Sequence, residues 1–254
     1  MSDKNSFTSH FIELRARLIK SITFILIIFV ISYTFAEHIY SFLVNPYADA
    51  VKDDPTQRRL IFTALHETFI TYLKVAFFSA FFLGSPVLLI QIYKFIAPGL
   101  YKNEKKALLP YLIFTPVLFL VGGMLVYYLV MPLAIKFFLS FETMGSSSSL
   151  PIQLEAKVNE YLSLIMRLIF AFGISFQLPI LLNLLARTGV VNSNYLKKTR
   201  RYVIVIIFSV AAILTPPDPI TQIGLAIPLL LLYELSIITV RFTEKKNKEN
   251  LEDA

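Results

Sequence analysis

Apolar residues gather into six long runs almost free of charge: Ser21–Ala36, Val75–Tyr93, Ala107–Ile135, Leu168–Ala186, Tyr202–Pro217 and Pro219–Tyr233. At about 1.5 Å of rise per helical residue, a run near twenty residues matches a hydrocarbon layer of roughly 30 Å. A soluble helix would carry charge on its outer face; these runs offer lipid-facing surface nearly everywhere. The pattern predicts an all-α polytopic membrane protein with six transmembrane helices in a single domain, residues 1–242. The charged, aperiodic segment 243–254 is expected to be a disordered tail.

The runs are unequal. Ala107–Ile135 would reach about 43 Å as one helix, so it should tilt or project beyond the bilayer. Tyr202–Pro217 and Pro219–Tyr233 reach only about 22–24 Å, making the last two helices short. Between them, Thr215-Pro216-Pro217-Asp218-Pro219 cannot be helical throughout, because each proline removes a donor and constrains its predecessor. Two longer connections remain. Residues 37–74 contain the breakers Asn45-Pro46 and Asp54-Pro55 and a periodic stretch from Leu60 to Lys74; residues 136–160 contain the flexible tip Gly145–Ser149.

Charge placement gives an orientation. Seventeen of the twenty-four lysines and arginines lie in segments 1–20, 94–106, 187–201 and 241–254, and six lie on the opposite side. The positive-inside rule then predicts both termini in the cytoplasm. The basic excess is spread over four segments rather than gathered in the one patch that would suggest nucleic acid or anionic lipid, and no nucleic-acid partner is expected.

Composition closes off most chemistry. There is no cysteine, hence no disulfide or thiolate metal site, and His10, His38 and His66 lie far apart outside the apolar runs. No nucleophile–base motif, phosphate-cradling glycine loop or carboxylate pair appears within a span, so neither catalytic residues, a metal nor a cofactor is expected.

What remains is a sparse set of polar groups. Ser9 is a candidate N-cap for an amphipathic lead-in, Ser9–Leu18, in which Glu13 and Arg17 are one turn apart. Glu104 is the sole acid among Lys94, Lys102, Lys105 and Lys106. Asn103 would cap the third span, leaving Glu104 either a partner of the helix dipole or a carboxylate awaiting a cationic ligand. Gln177 lies at membrane depth and needs polar partners. Arg167 and Glu234 can snorkel, and Asp218 and Gln222 are placed to cap or pair at the hairpin.

Four segments in this order resemble the TatC family, the multispanning receptor of twin-arginine protein translocation: SHFIELRARL at Ser9–Leu18, FIAPGLYKNEKK at Phe95–Lys106, AFGISFQLP at Ala171–Pro179 and LTPPD at Leu214–Asp218. The resemblance covers roughly residues 9–242. It implies a cup-shaped bundle in the bacterial inner membrane that reads twin-arginine signal peptides of folded precursor proteins on its cytoplasmic face. It assigns Glu13, Arg15, Phe95 and Glu104 to that recognition. It also implies TatA- and TatB-like single-span partners, further copies of the chain in the receptor complex, and transport driven by the proton-motive force. Pro46, Gln177, Asp218 and Gln222 fall at positions it connects with partner contact or transport. Many members carry Glu where this chain has Gln177; an amide does not titrate, but it still donates and accepts hydrogen bonds.

Two other classes compete. A secondary transporter or channel should show internal repeats and several midplane ionisable residues, and an intramembrane enzyme should show a nucleophile with its base or metal ligands. Neither set is found in this chain.

Overall fold

A computed structural model describes residues 2–52, 59–96, 105–143, 150–187, 189–215 and 218–252. Among the described residues every regular element is helical: α1 (Ser2–Thr34), α2 (Ala36–Val51), α3 (Glu67–Ile96), α4 (Lys105–Leu125), a π-helical turn (Val126–Val130), α5 (Met131–Leu139), α6 (Val158–Ser175), α7 (Leu178–Arg187), α8 (Ser193–Leu214) and α9 (Pro219–Glu252). Four helical stretches among these residues are long and apolar enough to cross a membrane, Glu67–Tyr93, Pro110–Leu139, Val158–Arg187 and Pro219–Lys245; a fifth arises if the bent pair α1–α2 counts as one. The α8 stretch falls short because Lys197, Lys198, Arg200 and Arg201 occupy its first turns.

Several boundaries differ from the sequence expectation. α1 begins at Ser2, so Ser9 lies inside the helix rather than at its cap; once nucleated, a helix gains one bond for each residue added. Segment 37–74 is helical in its first part, and Pro46 sits inside α2 instead of breaking it. Flanking residues Leu43 and Tyr47 are both buried, and the Tyr161 hydroxyl donates to the Leu43 carbonyl at 3.1 Å, so tertiary packing overrides the proline penalty of about 3 kcal/mol. The chain turns through 80° between α1 and α2.

The third run is continuous but not uniformly α-helical. Met131 N–H reaches back to Val126 O across the π turn, ahead of Pro132, which has no N–H to give. The fourth run starts earlier, at Val158, and is broken at Phe176-Gln177. Pro179 cannot donate to the Ser175 carbonyl, and Gln177 N–H instead takes the Ile174 carbonyl at 2.9 Å in a tightened turn.

The chain divides into two compact units, residues 1–42 with 68–117 and residues 43–67 with 118–254. In the first, α1 and α3 run antiparallel, with contacts that climb one helix while descending the other. Arg17 meets Gln91, Ile25 meets Gly84, Phe29 meets Phe77 at 6.3 Å between ring centres, and beyond the bend Tyr40 meets Tyr72 at 5.8 Å. A Cβ on Gly84 would lie 2.5 Å from Ile25 Cγ1, so the Ile25 side chain would have to shift to admit one.

In the second unit, α4 and α6 cross backbone to backbone. A Cβ on Gly122 would come within 2.8 Å of the Phe172 carbonyl oxygen, and one on Gly173 within 2.6 Å of the Phe119 ring. α7 and α8 pack on α9 around Ala186, Leu196, Tyr233, Ile237 and Val240. Polar ties hold the far end of α9. Thr243 Oγ1 donates to Asn183 Oδ1 at 3.0 Å, and Glu244 accepts the Ser193 amide at 2.7 Å and its hydroxyl at 2.6 Å. These contacts carry α9 past residue 242, where the sequence reading expects a disordered tail, and the helix continues to Glu252. The flanks of segment 136–160 are also ordered, because Thr143 and Ile152 exchange backbone bonds of 3.0 and 2.9 Å, and Ile61 pairs with Ala156 and Val158.

Candidate functional site

The residues singled out for peptide recognition belong to the first unit, as far as they are described. Glu13 and Arg17 sit one turn apart on α1, and the guanidinium holds Glu13 Oε1 through Nε at 3.0 Å and Nη2 at 2.6 Å. Arg17 Nη1 donates to Gln91 Oε1 of α3 at 3.1 Å. Because the helices are antiparallel, stepping one turn back from Arg17 to Glu13 matches stepping one turn on from Gln91 to Phe95. The register thus places Glu13 and the half-buried Phe95 at the same end of the α1–α3 pair. Arg15 is exposed on the same turn of α1.

The Glu13 side chain keeps 41% of its surface exposed and Arg17 27%, so the pair is wet and contributes modestly, about 0.3–0.5 kcal/mol for an i, i+4 pair. Its geometric effect is larger. The guanidinium fixes a carboxylate and an amide oxygen together, at the end of the helix pair where Phe95 also lies. Glu104, Asn103 and Lys102 lie outside the described residues.

The residues connected with partner contact belong to the second unit. Gln177 occupies the α6–α7 break and is 5% exposed, with its amide nitrogen 3.5 Å from the Gly173 carbonyl. Asp218 caps α9, accepting the Thr221 amide at 2.7 Å and also the Thr221 hydroxyl. Gln222 reaches from α9 to the Phe208 carbonyl of α8 at 3.3 Å, closing the hairpin. The last two helices are not short as the apolar runs suggest: α8 has 22 residues and α9 has 34, because both continue into charged sequence beyond those runs. Pro216 and Pro217 are outside the described residues. Asp218 and Gln222 are therefore engaged within the chain, which makes the hairpin a preformed surface.

Sequence reading also leaves two features undetected. Gln91 carries no motif signal, since its role depends on a partner far away in the chain. Arg167, expected to snorkel outward, lines a cavity of about 540 Å³ with Tyr47, Glu160, Ser163 and Thr215. Glu234 is paired with Arg200 of α8 at 2.7 Å.

Comparison with known proteins agrees with this architecture. The family model described as Sec-independent protein translocase protein (TatC) matches residues 9–228. The Sec-independent protein translocase protein TatC of Magnetococcus marinus is 48% identical over 98% of this chain and 89% of its own length. That of Rickettsia prowazekii is 47% identical over 97% of this chain and 96% of its own. A crystal structure of a twin-arginine translocase receptor, TatC, superposes with a TM-score of 0.78 at 37% identity, covering 92% of this chain and 99% of that one. By matched length, identity and fold together, this chain, an all-helical protein with several membrane-crossing helices, belongs to the TatC family of protein translocase components.

Proposed function

We propose that this chain is the signal-peptide receptor and core subunit of a twin-arginine translocase in the bacterial inner membrane. It crosses the membrane six times with both termini in the cytoplasm and works without a cofactor, nucleic acid or catalytic step. The observation that carries the reading is the α1–α3 register, which brings Glu13 and Phe95 to one end of a helix pair beside Arg15. Glu104 follows in the connection after α3 and completes the acidic set. An arginine pair on the peptide offers planar forks that match carboxylates bidentately, which a lysine point charge does not reproduce. The surrounding lysines disfavour other cationic chains. The second unit, with Pro46, Gln177 and the Asp218–Gln222 hairpin, supplies the surfaces for TatA- and TatB-like single-span partners and for further copies of the chain. Transport then draws on the proton-motive force.

The test is site-specific photocrosslinking. A crosslinker at position 104 should capture a twin-arginine precursor, and changing the peptide's arginine pair to lysines should reduce the yield severalfold. Equal capture of the two peptides would refute the recognition role.

Gln177 gives a separate expectation. Gln177→Glu should retain most transport of a twin-arginine precursor, since a protonated carboxyl offers both donor and acceptor. Gln177→Leu should lose more, leaving a polar group unpaired in the membrane at about 0.6–2 kcal/mol. Transport in cells, with insertion checked independently, decides it. Full activity of the leucine variant would reduce Gln177 to packing.

A further inference from the structure

A second cavity, of about 610 Å³, opens between α8 and α9, away from the turn that joins them. Lys197 lines it from α8, and Ile237, Ile238, Arg241, Phe242 and Lys245 line it from α9. The α9 residues form one stripe: positions 237, 241 and 245 recur every four residues, and 238 and 242 lie beside them. Along that stripe the chemistry changes abruptly. After Glu234 the stretch Leu235–Val240 carries no charge, and Arg241 opens the charged end of α9. Ile238 stands 51% exposed before the change and Phe242 69% exposed just past it, beside Arg241; the cations of the wall begin at Arg241.

The neighbouring charges are already committed. Both oxygens of Glu244, the acid at this cavity, face Ser193, accepting its amide and hydroxyl. Arg200 is paired with Glu234, and Arg201 lies over the Tyr202 ring at 4.8 Å. Among the described residues, Lys197 and Arg241 enter no ion pair. The cavity thus keeps a net positive mouth over an apolar wall, at the level where a membrane helix leaves the hydrocarbon. A cationic peptide is repelled there, and a purely apolar ligand leaves the cations unmatched. An anionic amphiphile satisfies both parts. Arg241 can hold phosphate oxygens bidentately, and the lysines act as point charges beside it. Basic pockets between membrane helices take anionic headgroups in this manner.

We infer that the α8–α9 cavity binds the headgroup of an anionic phospholipid, with the two phosphates of cardiolipin matching Lys197 and Arg241 and Phe242 lying along an acyl chain. Native mass spectrometry of the full chain, with cardiolipin, phosphatidylglycerol or phosphatidylethanolamine added, tests this. The wild-type chain should retain cardiolipin at least tenfold over phosphatidylethanolamine. The combined variant Lys197→Gln, Arg241→Gln, Lys245→Gln should lose at least fivefold of that retention, whereas Lys136→Gln, in another segment, should lose none. Phe242→Ala removes an exposed ring, so the fold is spared, and it should lower cardiolipin retention severalfold. Undiminished retention in both the triple and the Phe242 variants overturns the site. So does absence of preference for the anionic head. Full displacement of the lipid by millimolar inorganic phosphate overturns it in favour of a free-phosphate site. Displacement by an acidic peptide without lipid selectivity overturns it in favour of a protein partner.

Discussion

Gly122→Val is expected to destabilise the second unit by about 2–3 kcal/mol, the upper part of the usual overpacking range. The reason is what the new side chain meets. At Gly122 the added Cβ comes within 2.8 Å of the Phe172 carbonyl oxygen, 2.9 Å of its carbon and 3.0 Å of the Gly173 nitrogen, all of them backbone atoms. A helix backbone cannot rotate aside as a side chain can, so α4 and α6 must separate. Separation would also strip Phe119, fully buried, of its contact with Gly173 and its edge-on packing against Phe170 at 6.4 Å. Gly84→Ala is the comparator: its obstacle is the Ile25 side chain, which can change rotamer. Thermal unfolding of the purified chain in detergent should show a clearly lower midpoint for Gly122→Val than for Gly84→Ala. Equal midpoints would mean that the helix crossing yields readily.

Removing both Glu13 and Glu104 should weaken binding of twin-arginine peptides by about ten- to a hundredfold. Hydrogen bonds to charged groups contribute about 1.5–3 kcal/mol when well made, and a wet helix end favours the lower part of that range. The single variants should differ. Glu13→Ala should cost less than Glu104→Ala, because Arg17 already holds Glu13 Oε1 through two contacts and competes with an incoming guanidinium. Arg17→Ala should in turn free Glu13 and release Gln91, so its effect reads the positioning of the acid and not the charge alone. Peptide binding by fluorescence anisotropy on detergent-solubilised protein measures all four variants. Unchanged affinity in the double variant would return Glu104 to its alternative role as a partner of the helix dipole.

Much of this organisation was legible because it is local. Apolar runs mark helices that need no partner to be recognised, and the Glu13–Arg17 pair and the Asp218 cap follow from spacings of one turn. The TatC motifs identify the family from short segments for the same reason. What was not legible depends on distant residues. Leu43 and Tyr47 keep α2 helical through Pro46 by packing and bonding with Tyr161, and no window around Pro46 contains that information. The extension of α9 rests on Ser193 and Asn183, and Gln91 gains its role only from the antiparallel register. The break at Phe176-Gln177 is an intermediate case. Pro179 announces it, but the uninterrupted apolar run around it conceals it.

The division of the chain into units has a consequence for its synthesis. The boundaries fall inside α2 and α4, so the second unit draws residues 43–67 from before the first unit is finished and everything else from after it. The bond from the Tyr161 hydroxyl to the Leu43 carbonyl closes a separation of 118 residues. At roughly 5–20 residues per second, the ribosome needs on the order of 6–24 s to deliver Tyr161 after Leu43 has emerged. Throughout that interval the segment containing Pro46 lacks the packing that keeps it helical.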